Sequence, residues 1–191
     1  MVFPYNSLIK SIQRLLNRPG FWGKCQEWRK KSVPDDVMAD IHQGKLWKEL
    51  SKDGFLSNKN GLALMLNVDW FRPHKHSPGS VGVIYMVVLN LPRQDRYKVE
   101  NVIVVGILPG PGKPKLTANS FLKPLVEDLQ ILWKANQWFS VCGSLFKSRI
   151  QAALICVACD IPAARKIGGL WVIWLTKVVL DAEKSSLKTQ V

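Results

Sequence analysis

Four short apolar runs, each cut off by an aspartate or a proline, constrain this chain more than any other feature: Leu62 to Val68 before Asp69, Val81 to Leu91 before Pro92, Asn101 to Leu108 before Pro109, and Ile150 to Cys159 before Asp160. Runs this short with abrupt polar ends suit buried strands better than helices. The second and third add β-branched residues, which favour a pleated surface. Between the third and fourth, Phe121, Leu122, Leu125, Leu129, Leu132 and Trp133 form one apolar stripe, so a long helix is expected from an N-cap at Thr117 to about Trp138. A short Ala-Ala-Arg-Lys helix follows Pro162. The order reads strand, strand, strand, helix, strand, helix, an α/β core.

A helical segment precedes it. Leu8, Ile9, Ile12, Leu15 and Leu16 fall at spacings of three and four, and Pro19-Gly20 ends that helix. A second helix is expected from about Asp35 to Leu50, with Val37, Met38, Ile41, Leu46 and Trp47 on its apolar face.

The chain holds 27 Lys and Arg against 14 Asp and Glu, a net charge of +13, with 47% hydrophobic residues. That apolar content excludes a disordered tail, and 4 Cys are too few for a disulfide scaffold. The charge points to a polyanionic partner, nucleic acid before membrane. The apolar run Ile167 to Leu180 is broken by Lys177 and falls short of the roughly 20 residues of a spanning helix. No membrane role is expected. The first residues carry neither a basic nor an apolar leader region, so secretion is not expected and the cysteines are expected to be reduced.

Asp69 and Asp160 each end a buried strand, where a carboxylate is costly unless paired, hydrogen-bonded or bound to a metal. If the first and fourth strands are neighbours, both acids reach one sheet edge, and two hard oxygen ligands there suit Mg²⁺ or Mn²⁺ for phosphoryl transfer. The plainer alternative is that Asp69 caps a turn and Asp160 is an N-cap before Pro162.

The segments Gly61-Leu-Ala-Leu-Met-Leu-Asn-Val-Asp-Trp-Phe-Arg-Pro73, Asn90-Leu-Pro-Arg93, Glu100-Asn-Val-Ile-Val-Val-Gly-Ile-Leu-Pro-Gly110 and Ala153-Leu-Ile-Cys-Val-Ala-Cys-Asp-Ile-Pro-Ala-Ala-Arg165 resemble, in order, the catalytic core of CACTA (En/Spm-type) DDE transposases. Arg18-Pro-Gly-Phe21, Cys25-Gln-Glu-Trp-Arg29 and Asp40-Ile-His-Gln-Gly-Lys-Leu-Trp47 are similar to the helical segment ahead of that core. The resemblance implies a ribonuclease H-like fold in which three acids hold two divalent cations for DNA strand cleavage and transfer. Asp69 matches the first acid and Asp160 the second. It divides the chain into a basic helical lead-in, 1–60, a partial core, 61–170, and a tail, 171–191, without family likeness. Asp181 and Glu183 lie in that tail and match no third acid, so the fragment is expected to be catalytically incomplete and to bind its ion weakly. Where the family has a Cys-x-x-Cys zinc knuckle, the tail reads Leu170-Trp-Val-Ile-Trp-Leu-Thr-Lys; a shifted reading frame permits Cys-Ser-Arg-Cys there, which suggests a frameshift near Gly169 or Leu170. The implied partner is DNA, the implied location nuclear or otherwise cytoplasmic, and assembly into a homo-oligomer is an option.

Arg93, Arg96, Lys98, Lys113 and Lys115 are candidates for tracking a DNA backbone, although solvated loop charge is equally ordinary. Pro109-Gly-Pro-Gly-Lys-Pro-Lys115 is either a phosphate-approaching loop or a plain connection. Cys156 and Cys159 have a redox or zinc spacing, but an odd separation on a strand turns the thiols to opposite faces. His74 and His76 read as an exposed loop. Trp28, Trp47, Trp70 and Trp133 read as packing residues. A non-enzymatic nucleic-acid-binding module, or a product without selected function, fits the same charge without the chemistry.

Overall fold

The computed structural model describes residues 4–34, 37–72, 81–108 and 117–159. The first helix, α1 (Leu8–Leu16), buries Leu8, Ser11, Ile12, Leu15 and Leu16, the stripe its spacing predicts except for Ile9, which is only partly covered. Ser7 caps it by accepting from the Lys10 N–H. Gly20 then takes φ +75°, a left-handed turn that glycine adopts without strain, and α2 (Phe21–Gln26) follows, burying Phe21 and Cys25. A 3-10 turn, Glu27–Lys30, extends it.

The second helix differs from expectation. Asp40 caps only a 3-10 turn, Ile41–Gln43, and α3 (Lys45–Lys52) begins after Gly44. Of the expected apolar face only Trp47 is buried; Val37, Met38, Ile41 and Leu46 are exposed. The capping box of Asp40 with Gln43, followed by extended Gly44, breaks the run that a continuous helix would need.

Among the described residues the core follows the expected order; the short helix expected after Pro162 lies outside them. Strands β1 (Gly61–Phe71) and β2 (Val81–Val88) precede a one-turn helix, α4 (Arg93–Arg96), then β3 (Ile103–Leu108) and α5 (Thr117–Trp133). A two-strand hairpin, β4 (Trp138–Phe139) with β5 (Ser148–Arg149), takes up the end expected to be helical and leads into β6 (Gln151–Cys159). The four long strands make one mixed sheet in the order β3-β2-β1-β6, with β1 antiparallel to β2, β2 antiparallel to β3 and β1 parallel to β6. The protein is therefore mixed α/β.

Strand alternation sorts the side chains onto two faces. Leu62, Leu64, Leu66 and Val68 of β1 join Ile84, Met86 and Val88 of β2 in a large core shared with α1, α2 and α5. The lead-in is thus packed into the sheet's own core. Ala63 and Met65 point the other way, against Val87, Leu89, Trp47 and Leu56, with Trp28, Leu50 and Phe55 at the margin. Gly61 permits that roof to close, since a Cβ there would stand 2.5 Å from the Phe55 carbonyl oxygen. Asn90, fully buried, continues the pairing of β1 by accepting from the Ala63 N–H (2.7 Å) and donating to the Gly61 carbonyl (3.1 Å).

Candidate strand-end carboxylate site

Asp69 lies near the end of β1, opposite Val83 of β2, and is exposed where the eight residues before it are buried. Its parity is that of Ala63 and Met65, so it stands on the thinly covered face, beyond the Trp47 and Leu56 roof. Two residues earlier on the same face, Asn67 is buried and its amide Nδ2 has no hydrogen-bond partner. Tyr85 of β2 is close enough to sense the carboxylate: burial first, and the Asp69 charge second, push its hydroxyl above the ordinary phenol range.

The partner strand is β6. It runs parallel to β1 with Val68 opposite Cys159, the residues that immediately precede Asp69 and Asp160. Asp160 itself lies outside the described residues. Register slips once, between Leu64 and Met65, where Ile155 is the extra residue. Beyond that bulge Val157 and Cys159 pack against the large core while Cys156 is exposed. The two thiols thus face apart, as the odd spacing implied.

The expected basic residues separate. Arg93 is exposed. Arg96 is buried and forms two 2.9 Å bonds to the Asp40 carboxylate and a 3.0 Å bond to the Leu91 carbonyl, which commits its guanidinium to the interior. Lys98 is half exposed and bonded to Asp95, which Lys24 also contacts at 3.1 Å. These two ammonium groups hold the Asp95 carboxyl below its usual range, and the bond to Asp95 in turn raises the pKa of Lys98. Lys113 and Lys115, with the loop containing them, and His74 and His76 lie outside the described residues.

One cluster escaped the sequence reading. His42 sits between Asp40 and the β2 end, its Nε2 2.9 Å from the Leu89 carbonyl and its ring 4.5 Å from that of Trp47. Burial, first, lowers its pKa, and the neighbouring Arg96 adds to that against the Leu89 bond and Asp40. Burial alone would raise Asp40, but the bonds from Arg96 and the Ile41 N–H, with the Arg96 charge, hold it below the usual carboxylate range. The Asp-x-x-Gln capping pattern at 40–43 was the available signal. A cavity of about 250 Å³ borders this cluster, between Trp28, Lys31, Gln43 and Arg93, at the end of the sheet opposite Asp69. A second carboxylate set, around Asp128 of α5, only anchors α1: its Oδ2 accepts from the Tyr5 hydroxyl (2.7 Å) and the Ser7 hydroxyl (2.9 Å).

Among the described residues no helix is long and apolar enough to cross a membrane. No curated protein matches the chain. The model of the transposase family tnp2 matches residues 35–186, from ahead of Asp40, through both strand ends, and past the boundary drawn at 170. Covering most of the sequence, that match shows that the chain belongs to the tnp2 transposase family.

Proposed function

We propose that the chain carries a ribonuclease H-like core of the CACTA DDE type, in which Asp69 and Asp160 share Mg²⁺ or Mn²⁺ against a DNA phosphodiester. The observation that carries this reading is the parallel pairing of Val68 with Cys159, because it makes the residues just before the two acids neighbours. The antiparallel β1-β2-β3 order with β6 alongside β1 supports it, as does family membership, which also favours DNA as partner and the nucleus as its place.

The chemistry of the donors fits a hard cation. Asp69 offers an exposed carboxylate, and Mg²⁺ is commonly held by one or two carboxylates with its remaining positions left to water and substrate phosphate. When bound, the ion would polarise the scissile phosphate and acidify an attacking water. The protein's part is to fix the carboxylate on a rigid strand, and to offer Arg93 to the phosphate backbone, with Lys98, Lys113 and Lys115 as further candidates. The motifs that carry the CACTA likeness supply two acids rather than three, so ion binding is weak and turnover by this polypeptide alone is slow.

The test is Mg²⁺-dependent nicking of supercoiled DNA together with Mn²⁺ titration followed by electron paramagnetic resonance. Asp69→Asn and Asp160→Asn should each abolish nicking and weaken Mn²⁺ binding. Nicking and Mn²⁺ binding that survive both substitutions would sink the reading. Salt-sensitive DNA binding with no Mn²⁺ site in the unaltered chain would instead assign it as a non-enzymatic module.

A further inference from the structure

The loop between β4 and β5 presents two adjacent large apolar side chains to solvent: Leu145 is 97% and Phe146 81% exposed. The tip is nonetheless ordered by its own bonds. Gly143 turns the chain at φ +82°, the Ser144 N–H donates to the Val141 carbonyl (3.0 Å), and the Ser144 hydroxyl donates to the Phe146 carbonyl (2.8 Å) while accepting from the Phe146 N–H (3.3 Å). Its base is fastened to the core by buried Phe139, by the Cys142 N–H on the Leu16 carbonyl (2.9 Å), and by Gln13, which donates to the Ser140 carbonyl (2.8 Å) and accepts from the Ser140 N–H (3.0 Å). A rigid loop that holds a leucine and a phenylalanine in water is organised to bury them elsewhere.

The charge around the tip says where. Exposed Lys147 and Arg149 follow it directly, and the Arg149 guanidinium lies 4.7 Å over the ring of half-exposed Trp138. From Leu129 to Cys159 the sequence contains no Asp or Glu. Apolar side chains flanked by cations, in a stretch of sequence without acids, match the interior of a base stack between two phosphate chains better than a protein pocket. Gln151, just after the hairpin, pairs with Gly61 at the opposite end of β1 from Asp69. The eight residues between Gly61 and Asp69 span roughly 26 Å at about 3.3 Å each, so this contact is separate from the carboxylate site.

We propose that the Leu145–Phe146 tip is a wedge that inserts into a base step of duplex DNA, with Lys147 and Arg149 on the flanking phosphates. The proposal rests on the DNA reading above and adds a site to it. Insertion partly unstacks the step and kinks the duplex.

The test uses the full chain and a short duplex carrying a donor and an acceptor dye at its two ends. Both tip side chains are exposed, so Leu145→Ser with Phe146→Ser, and Phe146→Ala alone as a milder change, should leave the thermal transition in place. The double variant should bind about tenfold more weakly, the size of a lost base–aromatic contact, and should lose the energy-transfer change that reports the kink. Its salt dependence should match that of the unaltered chain. Lys147→Ala with Arg149→Ala should instead lower the slope of log affinity against log salt by about two. If the unaltered chain binds and bends the duplex and the double serine variant does the same, the wedge is refuted while the DNA reading stands. If tip variants bind DNA normally but change the sedimentation of the chain, the tip belongs to a second copy and the wedge is likewise refuted. An unaltered chain that binds no duplex at all overturns the DNA reading and the wedge with it.

Discussion

On one side of the sheet, Leu62, Leu64, Leu66 and Val68 of β1 meet α1, α2 and α5 along the length of the strand. On the other, Ala63, Met65 and Asn67 are buried, the first two under Trp47 and Leu56, and Asp69 beyond them is exposed. The same eleven-residue strand supplies both surfaces, alternating residue by residue. A carboxylate on the covered side would be stranded in the core at a cost of several kcal/mol. On the open side it keeps its hydration and can meet a ligand. Stability and candidate chemistry are therefore separable in β1 by parity alone.

Leu64→Ala tests the covered side and should have the largest effect on folding. Leu64 is 0% exposed, so truncation should cost about 2–5 kcal/mol and lower the midpoint of thermal unfolding by roughly 5–15 °C. A loss under about 1 kcal/mol, measured by denaturant titration, would mean that this face is not the core.

The roof of the open side depends on a different kind of contact. Arg96→Ala leaves Asp40 without its two bonds, but the Asp40 side chain is 16% exposed, so water recovers part of the loss and about 2 kcal/mol is expected. The pH dependence has a definite sign. Because the folded pKa of Asp40 is lowered from 3.8, its contribution is full above that value and disappears as pH falls through the folded pKa. Asp40→Asn should flatten the acid limb of stability below about pH 4, as followed by chemical denaturation at stepped pH; an unchanged limb would assign acid sensitivity elsewhere.

This roof is also where the sequence was least legible. Strands showed through because β1, β2, β3 and β6 are short, apolar and sharply ended, and α1 because its stripe has a partner along its length. Val37, Met38, Ile41 and Leu46 have helical spacing too, yet periodicity records only that a face exists, not that anything covers it. Arg96 looked like the other basic residues because its partner, Asp40, lies 56 positions away. The bulge at Ile155 leaves no mark in composition. For the candidate site, the strand-end position of Asp69 and the adjacency of β1 and β6 were legible, whereas the unpaired amide of Asn67 depends on packing that one strand's sequence does not specify.

His42 gives a smaller test of the same roof. Its folded pKa is lowered from 6.5 by burial, so the folded state resists protonation: stability should be full above about pH 6.5 and should fall as pH drops toward the folded pKa, where the unfolded chain binds the extra proton. His42→Gln should remove that slope below about pH 6.5. If the slope persists, another group titrates in that window and His42 is not the source.

Asp69→Asn should have the smallest effect on folding. The residue is exposed at the open end of β1, and a neutral amide of nearly the same volume should change unfolding free energy by no more than about 0.5 kcal/mol. Reduced charge near Tyr85 should also lower the phenol's titration, visible by ultraviolet absorbance, because Asp69 is one of the causes that raise it. A large loss of stability would mean that Asp69 is held by structural bonds and belongs with the covered side. An unchanged fold with lost Mn²⁺ binding would place the contribution of this exposed carboxylate in ligand binding rather than in folding.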